Sequence, residues 1–413
     1  MITPSSEARP ARRPPEVELM VSCARSRIGE IAADRVRKAL KEEIDWERLV
    51  KAAFRHGTAQ LLYWNLSRLG CNGIPESTLS RLKGAFNAIA LWNLSLTGEL
   101  LKLLKLFSDV GIRALPIKGP VLSAAAYGNL SLRTFSDLDI LMAMDDIRRA
   151  KEVLLSHGYH AKLDLTASEE ELYLRSHHDY KFIRDDGGIV VELQTGITQW
   201  SFAFPIFFED LWKRREKMTL AGDSVFNLAA EDLLLILCVH GAKHQWDQLK
   251  WISDIAELVD AKYDRLDWHR LMNQAGTQGG GRMLLLGLFL AQDLVGARLP
   301  EQVLQKVQND RQVKALADRV SERVFREVSE TPGLSDERPF FYWEVRERWR
   351  DKLAIAWRYF PEYFWRVIVP NKKDHELLQL PPFLSLGYYV VHPVRMVLEG
   401  WSNFRQRARK PGV

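Results

Sequence analysis

The sequence predicts an α+β protein in which a central mixed sheet is flanked by N-terminal and C-terminal helical regions. Apolar residues recur at three- and four-residue intervals before about residue 110 and again after residue 229, which is typical of amphipathic helices. Between 111 and 225, shorter runs read as strands, and residues 185–188 form a strong hairpin turn signal. The 413 residues are 46% hydrophobic and 27% charged, which excludes a disordered or fibrous chain. That length predicts roughly two or three domains.

The N-terminal part is predicted to comprise a tail and a helical region. Residues 1–15 are rich in proline and arginine and lack an apolar core, so we expect a disordered tail and not a secretory signal peptide. Residues 16–110 are expected to be helical, and Asp45 stands where a helix N-cap is needed. Three widely spaced cysteines, and no apolar run long enough to cross a bilayer, predict a cytoplasmic protein without a transmembrane segment.

Residues 111–227 are predicted to form a small α/β domain. Pro120 suits the first position of a helix, where its missing N–H is not needed, and Gly158 suits a helix end. The elements expected in order are a strand over 111–117, a helix over 121–127, a strand over 137–142, a helix over 144–157, and strands over 180–183 and 189–193.

The remaining chain is predicted to be helical. Residues 228–335 are expected to form a helical domain lining a cleft, and the glycine run 279–281 is interpreted as a helix junction because a P-loop needs a preceding strand and a Lys-Ser/Thr pair. Residues 336–413 form a basic, aromatic-rich region and tail. From residue 338 onward they carry 14 Lys and Arg against 7 Asp and Glu.

Arginines alternate with aromatic residues over 340–366, and this pattern has three interpretations. A packing helix whose arginines cover core aromatics is favoured. An interfacial membrane helix and base stacking on a nucleic acid are the alternatives. Nucleic acid is the weakest of the three, because the charge surplus is modest for the length of this region. Pro361 is expected to end or kink any single helix here.

Asp137 and Asp139 are two residues apart on a predicted strand, so both carboxylates face the same side of a sheet. Two such carboxylates repel each other unless a cation lies between them, and oxygen donors favour Mg²⁺ or Mn²⁺. A third carboxylate, Glu192, stands among apolar residues of another strand and needs a partner if it is buried. Three carboxylates on neighbouring strands match what two-metal phosphoryl or nucleotidyl transfer requires.

Four residues near this triad are predicted to bind phosphates. Lys118 and Gly119 close a strand and open a helix, where backbone N–H groups can face an anion. Arg133 and Ser136 stand just before the first aspartate and are expected to hold phosphate oxygens.

A set of motifs in this chain resembles a known family. The motifs are Lys118-Gly119, Tyr127-Gly128, Leu132-Arg133, the run 136–141, Val191-Glu192-Leu193, and the runs 240–244 and 249–254. Together they resemble the nucleotidyltransferases of the DNA polymerase beta superfamily, and more narrowly a bacterial family of uncharacterised nucleotidyltransferases. The resemblance covers most of residues 40–300. It implies a catalytic α+β domain with Asp137, Asp139 and Glu192 as the metal triad, Lys118 and Gly119 at the phosphate loop, and a nucleoside triphosphate as substrate.

Two positions depart from the pattern that the resemblance implies. Gly119 is followed by Pro120, which has no N–H to donate, where the superfamily usually has Gly-Ser or Gly-Gly. The narrower family tends to place a histidine shortly after the third carboxylate, whereas this chain has Gln194 and Thr195 there. Either departure is consistent with altered substrate choice or weakened catalysis.

The helical part adds further candidates. His240 and His244 have the i, i+4 spacing of paired zinc ligands, but no third soft ligand accompanies them. We instead expect them to line the cleft near the acceptor, or to have a structural role. Lys243 and Lys250 are predicted to meet phosphates of the nucleotide, and Asp254 to orient one of the two histidines or Lys250 by a hydrogen bond.

The predicted activity is metal-dependent transfer of a nucleoside monophosphate from an NTP to a hydroxyl of an unidentified acceptor, with release of pyrophosphate. The sequence leaves the acceptor open among a sugar, another metabolite, a peptide, a protein and RNA. The alternative hypothesis is a catalytically degenerate nucleotide-binding or scaffold protein, peripheral to a membrane through its C-terminal region, and the two departures above are its motivation.

Overall fold

The computed structural model describes residues 13–357, apart from 71–72, 187, 199–201, 203, 205 and 330–337, together with Gly387, His392, Val394 and Arg395. The chain divides into two units, Met1–Arg348 and Trp349–Val413. Of the second unit, the described part includes a helical run over 349–357. The tail 1–12 and the predicted kink at Pro361 lie outside the described residues. The predicted α+β class is confirmed, whereas the boundaries proposed inside the first unit stay predictions.

In the described part of the chain, five helices precede the sheet. They are α1 Pro15–Ser22, α2 Glu30–Ala39, α3 Trp46–Arg55, α4 Ala59–Arg68 and the long α5 Glu76–Asp109. The predicted N-cap is confirmed, because the Asp45 carboxylate accepts a hydrogen bond from the Arg48 N–H at 2.9 Å. Helix α3 therefore begins where the local sequence predicts a helix start.

A five-stranded mixed sheet follows, with strand order β1-β2-β5-β4-β3. Its strands are β1 Ala114–Pro116, β2 Asp137–Met142, β3 Tyr159–Ala161, β4 Asp179–Arg184 and β5 Val190–Gln194. Strands β2 and β5 are parallel, and the other neighbours are antiparallel. The strands over 137–142, 180–183 and 189–193 are confirmed to within two residues, whereas β3 was not predicted.

Helical segments connect these strands. Between β1 and β2 the chain forms α6 Gly119–Leu122 and a π-helical turn Ser123–Tyr127. The segment 121–127, predicted as one helix, is therefore α-helical in its first part and π-helical in the rest. Then come α7 Ile147–Ser156, α8 Ala167–Ser176 and α9 Phe208–Arg214. A two-stranded sheet, β6 Glu216–Leu220 and β7 Asp223–Asn227, ends this part.

The last helices of the first unit are α10 Ala230–Lys243, α11 Leu249–Lys262, α12 Trp268–Gln278, α13 Gly281–Val295, α14 Glu301–Asn309, α15 Arg311–Ser329 and α16 Arg338–Val345. The glycine run is confirmed as a helix junction, since it lies between α12 and α13. Across the described residues, no helix combines the length and the apolar character that crossing a bilayer requires.

One face of the sheet is covered by the hydrophobic core, and the other carries the carboxylates. Leu138 and Ile140 of β2 are buried in one hydrophobic cluster with Leu100 and Phe107 of α5. Strand side chains alternate between the faces, so Asp137 and Asp139 project from the opposite face, which α5 does not cover. The other cluster is centred on α10, α11 and α13.

Replacing Gly241 by alanine is expected to lower the free energy of unfolding by about 1–3 kcal/mol. A Cβ at this position of α10 would lie 2.5 Å from ring atoms Cε3 and Cη2 of Trp246, which is fully buried. Gly98→Ala on α5 is the control, since nothing lies within 4 Å of a Cβ there and alanine favours helices. Denaturant titration measures both variants. Equal stability of the two would contradict the tight contact with Trp246.

Candidate active site

Three carboxylates meet on the open face of the sheet. The parallel register of β2 and β5 places Asp139 directly beside Glu192, and Asp137 is two residues earlier on the same strand. One oxygen from each of Asp137, Asp139 and Glu192 lies within 4.8 Å of the others. Within the described part of the chain, no second group of three His, Cys, Asp or Glu side chains converges in this way. A donor set made only of carboxylate oxygens fits a hard divalent cation such as Mg²⁺ or Mn²⁺.

The charged forms of Asp137 and Glu192 are disfavoured in this triad. Burial, followed by repulsion from Asp139, raises the pKa of Asp137 above its ordinary value, against the opposing effect of Lys118. Burial also raises the pKa of Glu192, and its hydrogen bond with Lys181 opposes that shift. A divalent cation bound between these oxygens would offset the repulsion.

Three neighbouring side chains already contact the triad. Lys118 Nζ lies 3.2 Å from Asp139 Oδ2, and Gln194 Nε2 donates to Asp139 Oδ1 at 2.5 Å. Lys181 donates to Glu192 Oε1, and this bond raises the pKa of Lys181 although burial lowers it. The sequence reasoning missed Lys181 and Gln194. The predicted hairpin held a signal for Lys181, because pairing its two strands puts Lys181 opposite Glu192.

The predicted phosphate loop borders the triad. Lys118 is the N-cap of α6, and Gly119 has a φ of 53°, which favours glycine. A Cβ on Gly119 would lie 3.6 Å from the Asp137 carbonyl oxygen, so the loop approaches β2 closely. Pro120 lies in the first turn of α6, and Ser136 is exposed on the same side of the cleft. Because α6 has only four residues, its dipole contributes little to anion binding.

Arg133 and Asp254 form a buried ion pair behind this loop. Arg133 Nε donates to Asp254 Oδ1 at 2.7 Å, and Arg133 NH2 donates to Oδ2 at 2.9 Å. The Tyr127 hydroxyl also donates to Oδ1 at 2.8 Å. The prediction that Asp254 orients a cleft histidine or Lys250 was therefore wrong, because its hydrogen-bond partners are Arg133 and Tyr127. No local pattern predicts a pairing between residues that are 121 positions apart.

The remaining wall of the cleft comes from α10, α11 and the start of β4. His240 Nδ1 lies 3.4 Å from Lys118 Nζ, and the rings of His240 and His244 pack against Trp251 at centroid distances of 5.3 and 5.0 Å. Burial, followed by Lys118, holds the pKa of His240 well below its ordinary value. The two histidines do not belong to the group of side chains that could hold a metal ion.

Lys243 and Lys250 extend toward the same cleft. Burial lowers the pKa of both, assisted by Lys118 for Lys243 and by Arg133 for Lys250. Lys243 Nζ lies 3.4 Å from Nε2 of His178, which belongs to a His-His-Asp run before the hairpin that the sequence alone leaves open between a polar loop and a wall facing the acceptor. The cleft has a volume of about 520 Å³, and both lysines and His178 line it beside the triad. His178, directly before β4, thus places a histidine in the cleft that Glu192 also lines, although none follows Glu192 along the chain.

The stability of the protein is expected to fall as the pH drops from about 6.5 to about 4, in part because of His56. Burial, followed by repulsion from Arg55, lowers the pKa of His56 from 6.5 to about 4. Between these values the unfolded chain binds a proton that the folded protein does not, so the stability from this group is complete above pH 6.5 and lost as the pH falls. The loss is at most about 3 kcal/mol.

Denaturant titrations from pH 4 to 7 measure this dependence. His56→Gln should flatten the slope, and His269→Gln, at an exposed position, controls for the substitution itself. Raised pKa values at Asp137 and Glu192 act in the opposite sense, but they are common to all three proteins and cancel in the comparison. A His56→Gln slope equal to the wild-type slope would contradict the assignment.

A comparison with known families agrees with this geometry. The family model described as an uncharacterised nucleotidyltransferase matches residues 42–296, which include the whole five-stranded sheet, α10 and α11. No curated protein and no solved structure matches the chain. The matched segment spans more than half of the protein and contains the carboxylate triad, the phosphate loop and both cleft lysines. The chain therefore belongs to the family of uncharacterised nucleotidyltransferases.

Proposed function

We propose that this protein transfers a nucleoside monophosphate from an NTP to a hydroxyl group of an acceptor and releases pyrophosphate. The observation that carries the proposal is the convergence of Asp137, Asp139 and Glu192 within 4.8 Å, in a cleft that Lys118 and Gly119 also line. Membership of the nucleotidyltransferase family supports the same reaction class. A divalent cation held by the three carboxylates would neutralise charge on the phosphates.

The nucleotide side of the cleft is proposed to lie at β1 and β2. Lys118, with its ammonium group 3.2 Å from Asp139, is placed to pass from that carboxylate to a phosphate oxygen. Gly119 has no side chain and so lets the backbone of the loop approach β2 closely. Ser136 offers a hydroxyl directly before β2. Arg133 is proposed to stabilise the phosphate loop through its ion pair with Asp254, which occupies two of its donors.

Glu192 is proposed to receive the acceptor's proton. The acceptor oxygen forms a bond to the α-phosphorus, the bond from that phosphorus to the oxygen bridging the β-phosphate breaks, and pyrophosphate leaves. The hydroxyl proton passes to the Glu192 carboxylate, which burial makes a stronger base than an exposed glutamate. Lys181 holds the carboxylate in place through its hydrogen bond.

Calorimetric titration of Mg²⁺–ATP and the other Mg²⁺–NTPs tests the proposal. The wild type is expected to bind at least one nucleotide in a Mg²⁺-dependent manner, and an Asp137→Asn/Asp139→Asn double variant to lose that binding. Asp185→Asn, at an exposed turn of the β4–β5 hairpin, is the matched control and should bind as the wild type does. Incubation with α-labelled nucleotide and a panel of acceptors then detects transfer.

The outcomes separate the two hypotheses for this protein. Metal-dependent binding together with labelled product supports a transferase. Binding without pyrophosphate release over the whole acceptor panel would instead support the degenerate nucleotide-binding protein. Binding that survives in the double variant would place the nucleotide elsewhere and overturn the site.

A further inference from the structure

The strand order places the parts of the cleft one after another across the sheet. The phosphate loop follows β1, Asp137 and Asp139 are on β2, and Glu192 is on β5. The next strand, β4, begins at Asp179, directly after His178. The phosphate loop and the start of β4 therefore lie on opposite sides of the triad.

A chain of charged side chains leads from Glu192 to the β4 side. Lys181 bonds to Glu192, and its Nζ lies 3.8 Å from Asp179 Oδ2. Asp179 Oδ1 is 3.6 Å from His178 Nδ1, and His178 Nε2 is 3.4 Å from Lys243 Nζ. The two carboxylates of this chain therefore both face Lys181, and Lys243 lies at the far end of the chain beside His178.

Lys243 has no carboxylate partner among the described residues. Its ammonium group makes its hydrogen-bond contact with His178 Nε2, and no acidic oxygen of the described chain lies within ion-pair distance. The pKa of His178 is lowered to about 4, first by burial and then by Lys243, so this imidazole is neutral at pH 7 and does not balance the lysine. A partly buried cation with no carboxylate in direct contact favours an anion brought by a ligand.

Lys250 offers a contrast. Its aliphatic stem packs against Gly57, where a Cβ would lie 2.5 Å from Lys250 Cδ, and its backbone N–H donates to the His56 carbonyl oxygen at 3.1 Å. Its charge interacts with Arg133, Asp254 and Asp137, whereas that of Lys243 interacts first with Lys118 and then with Asp179, Glu192 and Asp139. The two cleft lysines therefore face different carboxylates, Asp254 and Asp137 for Lys250 and Asp179, Glu192 and Asp139 for Lys243.

We propose that Lys243 and His178 form an anion subsite for the acceptor, so that the acceptor carries a phosphate or carboxylate group near its reactive hydroxyl. This inference rests on the proposed function. In an in-line transfer the attacking oxygen stands opposite the leaving pyrophosphate. With the pyrophosphate at the β1 loop, the acceptor enters from the β4 side, where Glu192 meets its hydroxyl and Lys243 its anionic group. In this arrangement Lys250 contacts the nucleotide, whereas Lys243 contacts the acceptor.

Binding of inorganic phosphate and of acetate tests the inference. Each anion is titrated by calorimetry into wild type, Lys243→Met, Lys243→Arg and Lys250→Met. The protein is first saturated with Mg²⁺ and an NTP analogue whose α–β bridge is a methylene. The wild type should bind at least one anion. Lys243→Met should weaken that binding roughly tenfold or more, and Lys243→Arg should retain most of it. Lys250→Met should weaken nucleotide binding but not anion binding.

The results of this experiment distinguish a failure of this inference from a failure of the proposed function. Tighter binding of phosphate than of acetate assigns a phosphorylated acceptor, and the reverse assigns a carboxylate. If the nucleotide analogue binds but neither anion does, or if Lys243→Met weakens nucleotide binding as Lys250→Met does, the inference is wrong while the proposed function stands. If the analogue does not bind the wild type, the proposed function fails and the inference fails with it. Unfolding midpoints confirm that each variant is folded.

Discussion

Asp254→Ala is expected to lower the free energy of unfolding by about 3–5 kcal/mol, the largest stability change that we predict for this protein. Asp254 is fully buried, and Arg133 is 6% exposed. Removing the carboxylate leaves the guanidinium buried without its counter-charge, and it also removes the acceptor of the Tyr127 hydroxyl. Chemical denaturation monitored by circular dichroism measures the change.

A double variant separates the buried charge from the lost packing. Arg133→Met/Asp254→Leu removes both charges and keeps apolar volume, so it should be clearly more stable than Asp254→Ala alone. Asp260→Ala is a useful comparison, because Asp260 is only one of the groups that engage Arg25 and should cost less. If Asp254→Ala lost less than about 1 kcal/mol, the pair would have access to water and the account of a buried support behind the phosphate loop would be wrong.

The local elements of the site could be predicted from the sequence because each leaves a short-range pattern. The alternation around Asp137 and Asp139 marks a strand with one buried face, and the turn signal at 185–188 fixes the β4–β5 hairpin. These patterns arise within a few residues of the chain, where side-chain periodicity and turn chemistry act directly. Strand β3 escaped prediction because it has three residues and forms the edge of the sheet, so its pattern is too short to stand out.

The partners of the site residues could not be predicted, since they depend on tertiary packing. Arg133 stands next to the triad in sequence, and phosphate binding was the natural expectation. Asp254, from α11, engages two of its donors, a pairing that no local pattern predicts, and the phosphate-binding role of Arg133 stays a prediction. Likewise His178 enters the cleft only because β4 lies beside β5 and α10 brings Lys243 to it. The expectation of a histidine after Glu192 concerned the chain order, whereas the structure places His178 in the cleft from the residue before the neighbouring strand β4.

Glu192→Gln is expected to slow nucleotidyl transfer by about a hundredfold to ten-thousandfold, which is what loss of a general base removes. Glutamine keeps the volume of the side chain and can still accept a hydrogen bond from Lys181, so the fold should not change. Asp137 and Asp139 remain on the nucleotide side, and we therefore expect the affinity for Mg²⁺–NTP to fall by only a few fold. The rate of product formation from α-labelled NTP and calorimetric nucleotide binding are the two measurements.

The split between rate and affinity is what identifies the role of Glu192. A carboxylate needed mainly to hold the nucleotide would lower affinity and rate together, as Asp137→Asn/Asp139→Asn is expected to do. A carboxylate that accepts the acceptor's proton lowers the rate alone, and the remaining activity should rise with pH as the acceptor hydroxyl loses its proton to solvent. Glu216→Gln, at an exposed position of β6, controls for the loss of one negative charge. Wild-type transfer by Glu192→Gln would remove Glu192 from the chemistry and leave Asp137 and Asp139 as the only candidates among the three carboxylates.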